Sequence, residues 1–383
     1  MSATDTLGGD SQDMAERYVY VGTYTAPHIP PGATAPSQAR GIYVFRLDGS
    51  NGALTQVQVV ETENPSWVTL DAQGRCLYAA NEVGAWKDQA NSGGVSAFSV
   101  DPATGRLTFL NDQPTLGAGA THMSLDPSGR WLVISNYHGG KFTLLPVEPN
   151  GQVGPASDVF APTGSGPNRV RQEAPHAHQA RFDVGGRFVL GADLGLDRVW
   201  SWRVDAEAGK LVANKVPYIQ VASGSGARHF DFHPNGHFLY VINELTNSIT
   251  AFTYDATAGT AIWLQTVLTL PEEFSGTSHT SEITVHPSGR WLYATNRGHD
   301  SVACFTLDQA TGKLGSPRWA STQGRVPRGC GIDPSGTLLL VGNSASNSVV
   351  AFSIDQSTGA LEPTGVVTQT PVPVSFAFGA ASG

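Results

Sequence analysis

The chain has 383 residues, including 44 glycines and 24 prolines, and carries a formal net charge of −9. It has no Lys/Arg run interleaved with aromatic residues of the kind that single-stranded nucleic acid requires, so we expect no nucleic-acid partner. It also has neither the apolar core of a secretory signal nor a run of roughly 18 apolar residues, so we expect a cytoplasmic protein with no membrane partner.

The first predicted element follows an unstructured segment. Residues 1–16 contain Gly-Gly and scattered Ser, Thr and Asp, which predicts a disordered tail, and residues 17–383 are predicted to form a single domain. The apolar segment 18–24 is predicted to be the second strand of a unit whose first strand, residues 375–378, lies at the other end of the chain. Pairing of these two strands would close a ring.

A short unit then returns six times, and each copy has an apolar strand, a turn of the Pro-x-Gly type and a second apolar strand that usually ends on Asn. Aligned on the turn glycine, the six units are residues 66–81, 121–136, 178–193, 228–243, 281–296 and 328–343. Repeats at such a spacing indicate an array of identical supersecondary units.

Each period of roughly 50 residues also holds a third strand, such as residues 94–98 or 301–305, and a fourth strand after a Thr-Gly or Ala-Gly turn, as at residues 310–314. Four antiparallel strands repeated seven times predict an all-β fold, a seven-bladed β-propeller. A closed ring leaves no long free sheet edge, and the sequence shows no helical interface stripe, so we expect a monomer.

The three cysteines, Cys76, Cys304 and Cys330, are an odd set that lies within predicted strands. We therefore expect reduced, mostly buried thiols rather than a disulfide framework. Their spacing matches no metal site.

The repeats also separate architecture from departures that need another explanation. The Asn that ends the second strand recurs in five units, and we interpret it first as a turn former that bonds its own loop backbone. In contrast, the residues eight positions before the turn glycine differ from unit to unit: Ser66, Thr121, His178, Arg228, Ser281 and Arg328. The residues one position later are Trp67, His122, Gln179, His229, Glu282 and Gly329, and those after the recurring Asn are Glu82, Tyr137, Glu244, Arg297 and Ser344.

The start of the first strand and the end of the second lie at the same end of an antiparallel pair, and the first strand lines the central channel of a propeller. These positions are therefore predicted to converge on one mouth of the channel. The alternative is that the Arg and Glu residues make inter-blade ion pairs or face water. Two longer segments, residues 164–172 and 270–280, break the period and are predicted to cover the mouth as binding loops.

At residues 175–178, 193–197, 228–234, 243–245, 281–283 and 296–301, and from Val21-Gly22-Thr23-Tyr24-Thr25 onward, the chain resembles the seven-bladed propeller lactonases. That family includes the propeller type of 6-phosphogluconolactonase and the fungal enzyme that cyclises carboxymuconate. The chain departs from the usual family pattern in having Ala227 before Arg228 and Cys330 two residues after Arg328.

The resemblance implies that His178, Arg228, Glu244 and Arg297 are the catalytic residues. Opening a lactone by water needs a base and donors aimed at the carbonyl oxygen; His178 is suited to the first role and the two arginines to the second. Candidate substrate-binding residues are His176, Arg171, Gln172, His229, Glu282, Asn296, His299 and Arg328.

The arginines favour an anionic substrate, so the first hypothesis is hydrolysis of an acidic sugar lactone, either 6-phosphogluconolactone or an aldaric or uronic acid lactone. The alternatives are a cycloisomerase of the carboxymuconate type and a propeller that binds a ligand without catalysis. His176, His178, Asp193, Glu244 and Glu282 would be the nearest set for a metal, but arginines in the same pocket repel a cation. We therefore expect neither a metal nor a cofactor.

Overall fold

The computed structural model describes residues 17–25 and 36–379. The predicted tail, residues 1–16, lies outside the described residues. Throughout the described part of the chain the regular elements are β-strands, and no helix there is long and apolar enough to cross a membrane.

Thirty strands follow one another along the described chain. The first ten are β1 (Arg17–Thr23), β2 (Gly41–Leu47), β3 (Leu54–Glu61), β4 (Pro65–Leu70), β5 (Cys76–Asn81), β6 (Ala85–Trp86), β7 (Gln89–Ala90), β8 (Gly94–Val100), β9 (Leu107–Pro114) and β10 (Ala120–Leu125). The next ten are β11 (Trp131–Asn136), β12 (Lys141–Pro146), β13 (Asp158–Phe160), β14 (Ala177–Phe182), β15 (Val189–Asp193), β16 (Arg198–Asp205), β17 (Lys210–Gln220), β18 (Ala227–Phe232), β19 (Phe238–Asn243) and β20 (Ser248–Asp255). The last ten are β21 (Thr260–Leu268), β22 (His279–Val285), β23 (Trp291–Arg297), β24 (Ser301–Thr306), β25 (Arg318–Ser321), β26 (Pro327–Ile332), β27 (Leu338–Asn343), β28 (Ser348–Ile354), β29 (Leu361–Gln369) and β30 (Pro373–Phe378).

These strands form seven four-stranded antiparallel sheets, which are the blades of a β-propeller. Blade 1 is β4-β5-β8-β9, with the hairpin β6-β7 inserted, and blades 2 to 6 are β10–β13, β14–β17, β18–β21, β22–β25 and β26–β29. Blade 7 is β30-β1-β2-β3, in which Val19 pairs with Phe378 and Val21 with Phe376. The predicted seven-bladed ring, closed by strands from the two ends of the chain, is confirmed.

The hydrophobic core is divided among the interfaces between successive blades. For example, Tyr240 and Ile242 of blade 4 pack with Leu292 and Phe305 of blade 5, and an equivalent cluster fills each of the other six interfaces. Burying such side chains stabilises the fold by about 1.5–3 kcal/mol each. The core therefore holds the blades as a ring around the strands that line the channel.

One feature of the inner strands positions the functional groups. Each inner strand carries a β-bulge near its start, so that one extra residue opposes the second strand, as at His178 between Ala177 and Gln179 and at Arg228 between Ala227 and His229. Bulges re-aim a side chain and are frequent beside active sites. In blades 1 to 6 the bulge falls at or beside the position eight residues before the turn glycine, where the sequence varies from unit to unit.

The opposite end of the channel is made by the Pro-x-Gly type turns. Blades 4 and 5 place His233 and His286 there, and each ring donates from Nε2 to the turn glycine carbonyl of the next blade, at 3.0 Å to Gly289 and 2.8 Å to Gly336. Both glycines have positive φ, and a Cβ on Gly289 would lie 2.5 Å from the His233 ring. These hydrogen bonds between turns therefore connect neighbouring blades.

The fourth strand of blade 5 begins later than residues 310–314, where the sequence predicted it. Leu314 forms only an isolated bridge with Leu307, and the outer strand β25 begins at Arg318. Pro317 lies directly before that strand and has no N–H to donate to a ladder, which accounts for the delayed start.

Candidate active site

The bulged residues of the inner strands surround one end of the channel. Ser66, Thr121, His178, Arg228, Arg328 and Val374 all line a narrow throat of about 10 Å³. They come from six different blades, and each occupies the start of its inner strand. The predicted convergence of these positions is therefore observed in the structure.

Above the throat a wider cavity of about 180 Å³ forms the mouth. Its lining combines the bulge positions with residues that follow the second strands, namely Glu82, Thr121, Tyr137, His138, Arg171, His178, Glu244, Arg297 and Arg328. Ser344, at the same position in blade 6, instead donates to the backbone oxygen of Val326. The mouth is thus lined mainly by polar and charged side chains from blades 1 to 6.

Glu244 is the centre of the charge cluster in the mouth. Its Oε1 accepts a 2.6 Å hydrogen bond from Arg171, and its Oε2 lies 3.0 Å from Arg228 Nε and 3.0 Å from Arg297 Nη2. The Glu244 carboxylate and the Arg228 guanidinium are buried, the Arg297 side chain is 13% exposed, and Arg171 is one-third exposed. One carboxylate therefore orients three guanidinium groups.

The charges in this cluster shift each other's pKa values. Burial by itself raises the pKa of Glu244, but the charges of Arg297, Arg228 and Arg171 outweigh it and hold the pKa below its ordinary value. Burial, together with the charges of Arg297 and Arg328, lowers the pKa of Arg228. Arg228 remains a cation at neutral pH because the unperturbed guanidinium pKa is so high. The mouth therefore combines the ionised carboxylate of Glu244 with several guanidinium cations, which repel one another and are held together by their attraction to that carboxylate.

His178 lies beside Arg228 in the throat, and its side chain is buried. Its Nδ1 has no hydrogen-bond partner among the described residues. The His178 ring contacts those of Tyr137 and His229 edge-on, at centroid distances of 5.3 and 4.9 Å. Burial and the nearby charge of Arg228 lower the pKa of His178 well below its usual value. His178 is therefore neutral at pH 7 and has the lone pair that a general base needs.

Two other predicted residues lie below the mouth rather than in it. His229 Nδ1 is 2.9 Å from Oε1 of Glu282, and both side chains line the throat. Glu282 also lines a cavity of about 400 Å³ farther along the channel, where Cys330 forms part of the wall. Burial raises the pKa of Glu282 to about 7.

The remaining predicted substrate-binding residues are divided. Arg171 and Arg328 line the mouth, but four others do not line the throat or the mouth cavity. These four make contacts within the scaffold: Gln172 with Leu194 and Asp197, His176 with Glu173 and the backbone of Tyr137, Asn296 with Thr269 and Ser301, and His299 with Ser301. Their role in substrate binding stays a prediction, and these contacts already satisfy polar atoms of the four side chains.

The two predicted binding loops also differ. The first brings Arg171 to the mouth, and Asn168 and Gln172 brace it with hydrogen bonds to its own backbone. No residue of the second, 270–280, is among those that line the throat or the mouth cavity.

The predicted catalytic and substrate-binding residues do not include Tyr24, Glu82 or Tyr137, although Glu82 and Tyr137 were among the positions expected at the mouth. Tyr24 Oη donates to Glu82 Oε2 at 2.6 Å, and Arg328 donates to the same hydroxyl at 2.5 Å while it stacks over the Tyr24 ring. Glu82 and Tyr137 follow the recurring Asn as Glu244 does, so the repeat carried a signal for them. Tyr24 belongs to the split unit, in which the alignment is weakest.

No group of three or more His, Cys, Asp or Glu side chains that could hold a metal ion occurs in the part of the chain that the structure describes. Asp193, one of the residues weighed for such a set, accepts hydrogen bonds from the backbone of His176 and from the Trp200 indole. A larger cavity of about 780 Å³ lies near the turn end between blades 6 and 7, away from this cluster.

The family model described as lactonase, 7-bladed beta-propeller, matches residues 18–378. The 6-phosphogluconolactonase of Bacillus subtilis is 35% identical over 81% of this chain and 83% of its own length, and that of Formosa agariphila is 31% identical over 76% and 82%. The periplasmic gluconolactonase of Pseudomonas aeruginosa has a structure that superposes with a TM-score of 0.86 at 28% identity, covering 96% of this chain and all of that one. The chain therefore belongs to the lactonase family of seven-bladed β-propellers.

Proposed function

We propose that this lactonase hydrolyses the lactone of a phosphorylated sugar acid, 6-phosphogluconolactone, to the open-chain acid. The observation that carries the proposal is the charge of the mouth. Four guanidinium groups, from Arg171, Arg228, Arg297 and Arg328, face the two carboxylates of Glu82 and Glu244. The resulting excess of two positive charges suits a phosphate monoester, which carries about −1.5 to −2 at pH 7.

The first chemical step is the attack of water on the lactone carbonyl. Neutral His178 takes a proton from the water as its oxygen bonds to the carbonyl carbon, and the carbonyl oxygen becomes an oxyanion. Arg228 and Arg297 donate to that oxyanion, and Glu244 holds both guanidiniums in place. Such donors act strongly because the site is buried and already organised before the reaction.

The second step breaks the ring. The tetrahedral intermediate collapses with cleavage of the bond between the former carbonyl carbon and the ring oxygen, and the leaving alkoxide takes the proton from His178. Neutral His178 is regenerated, and the new carboxylic acid ionises and releases one proton to solvent. The same residue thus serves first as base and then as acid.

The phosphate would be held at the outer mouth, away from the reacting carbonyl. Arg328 contacts the Tyr24 hydroxyl and no carboxylate at ion-pair distance among the described residues. Arg171 is one-third exposed and comes from a loop. Arginine is well suited to phosphate because its planar donors match two phosphate oxygens.

The proposal is tested by comparing 6-phosphogluconolactone with gluconolactone as substrates for the wild type and Arg171→Ala. A hydrogen bond to a charged group contributes about 1.5–3 kcal/mol, so KM for the phosphorylated lactone is expected to rise about tenfold or more, with little change for gluconolactone. Arg169→Ala removes the same charge from an exposed position on the same loop and is expected to change neither value. An equal effect of Arg171→Ala on both substrates, or no hydrolysis above the spontaneous rate, would contradict the proposal.

A further inference from the structure

Four buried polar atoms without a hydrogen-bond partner in the described residues belong to side chains of the throat. One of them, Arg228 Nε, lies 3.0 Å from the Glu244 carboxylate, and the other three are Ser66 Oγ, His178 Nδ1 and His229 Nε2, contributed by blades 1, 3 and 4. A buried polar atom left unpaired costs free energy, and buried waters typically satisfy about three such groups. The throat volume of about 10 Å³ is close to that of one water-sized probe.

The hydrogen bond between His229 and Glu282 defines which His229 nitrogen carries the proton. Glu282 Oε1 accepts from the backbone N–H of Ile283 at 3.1 Å and lies 2.9 Å from His229 Nδ1. An ionised carboxylate only accepts hydrogen bonds, so Nδ1 of neutral His229 carries the hydrogen. The other nitrogen, Nε2, is therefore an acceptor, and it is buried without a partner among the described residues in a side chain that lines the throat.

We propose that Glu282, His229 and one water in the throat form a relay that sets the tautomer of His178. The His178 and His229 rings lie 4.9 Å apart and nearly perpendicular. The water donates to His229 Nε2 and accepts from an N–H on His178 Nδ1, and Ser66 Oγ is its third partner. His178 Nε2 is then left with the lone pair, at the mouth.

This inference rests on the proposed function in one respect, the role of His178 as the base. When His178 Nε2 takes a proton from the attacking water, the imidazolium shares its Nδ1 proton with the throat water and, through it, with His229. The negative charge of Glu282 stabilises that cation. The step needs no further reactant, because the proton returns to the leaving alkoxide.

The relay has a pH dependence that follows from Glu282. The charged and titratable groups around Glu282 and His229 on the surrounding elements are Arg181, Arg228, Arg297, Arg328, His122, His178, Asp231, Glu244 and Cys330. Burial, which Arg228 only partly offsets, raises the Glu282 pKa to about 7. Glu282 is therefore ionised above about pH 7 and neutral below it, so kcat is expected to rise with pH around a midpoint near 7.

Glu282→Gln keeps a carbonyl that can accept from Ile283 and His229 but never carries the charge. The variant should behave at every pH as the wild type does at acidic pH. At pH 8 its kcat should be about tenfold to a hundredfold lower than that of the wild type, which is the usual cost of removing the residue that hydrogen-bonds a functional histidine from behind. KM should change less than about twofold, because Glu282 lies below the mouth cavity. Asp333→Asn removes a buried carboxylate at the opposite end of the channel and should leave kcat and its pH profile unchanged.

The test has two arms. A crystal structure of the wild type should show a water within 3.2 Å of His178 Nδ1, His229 Nε2 and Ser66 Oγ; a throat closed by side chains would overturn the relay. In the kinetic arm, a rise near pH 7 that persists in Glu282→Gln would also overturn it. If no lactone is hydrolysed the proposed function fails, while the crystallographic arm still decides whether the relay exists.

Discussion

The two ends of the channel are built from the same repeated strands but differ in how their buried polar atoms are satisfied. At the mouth end, Ser66, His178, Arg228, His229 and Arg297 each hold a buried atom without a hydrogen-bond partner. In the described Pro-x-Gly type turns at the other end, no buried side-chain atom lacks one.

At the turn end, the buried polar atoms are hydrogen-bonded in two ways. In four units an Asp side chain accepts the backbone N–H groups of its own turn, and in the other two a His bonds the next blade; the residues are Asp71, Asp126, Asp183, Asp333, His233 and His286. Residues that satisfy one another hold the ring together, whereas polar atoms left without a protein partner are available to a substrate or to water. The comparison thus assigns stability to one end and activity to the other.

Among the variants that test this comparison, Arg228→Met is expected to have the largest effect, which is on kcat. Loss of one donor to an oxyanion typically lowers kcat by about 10²- to 10³-fold. Because burial and the charges of Arg297 and Arg328 disfavour charged Arg228, replacing it with an apolar side chain should lower the free energy of unfolding by less than about 1 kcal/mol, or raise it. Kinetics and urea unfolding on the same samples measure both, with the exposed Arg187→Met at the turn end as control. Retained activity, or a loss of several kcal/mol, would break the comparison.

His233→Ala is expected to have the opposite profile. It removes a buried ring that packs against Phe238 and one of the two hydrogen bonds to the Gly289 carbonyl, to which Gln309 also donates. The free energy of unfolding should fall by about 1–3 kcal/mol, and kcat per folded molecule should not change. His286→Ala repeats the experiment independently at the next blade. A wild-type melting temperature in both variants would show that these inter-blade hydrogen bonds contribute nothing to stability.

The smallest effect is expected for Arg17→Ala, which removes the 2.7 Å ion pair between blade 7 and Asp333 of blade 6. Arg17 is partly exposed, and exposed pairs contribute about 0–1 kcal/mol. Asp333 also keeps its hydrogen bonds to the backbone of Thr337 and Leu338. The loss should therefore stay below about 1 kcal/mol in thermal unfolding at low salt and shrink further at high salt. A larger loss would mean that ring closure depends on this pair.

The sequence predicted the fold well because the period is long, regular and locally encoded. The turn glycines, the recurring Asn and the apolar strands each indicate the same unit, and the pairing of β1 with β30 follows from the two half-units at the ends. The convergence of His178, Arg228, Glu244 and Arg297 was also predictable, because the ends of antiparallel strands lie side by side.

Other features depend on contacts that spacing does not reveal. The bulge that turns each variable side chain into the channel is a backbone irregularity, and nothing in the local sequence marks it. Gln172 and Asn296 have side chains of the right chemistry for a substrate, but each is buried and bonded to its own scaffold. Position in a repeat indicated where a residue lies, and only the three-dimensional partners showed whether its polar atoms were free.

The central claim is that residues at the mouth carry out catalysis and that the turns at the other end of the channel stabilise the ring. It is tested most directly by measuring proton release from freshly made 6-phosphogluconolactone with the wild type, His178→Ala and His233→Ala, together with the melting temperature of each protein. We expect His178→Ala to melt like the wild type and to lose about 10²- to 10⁴-fold in rate, the usual contribution of a positioned acid or base. His233→Ala should melt earlier and keep its rate. Wild-type activity in His178→Ala, or a loss of rate confined to His233→Ala, would contradict the account.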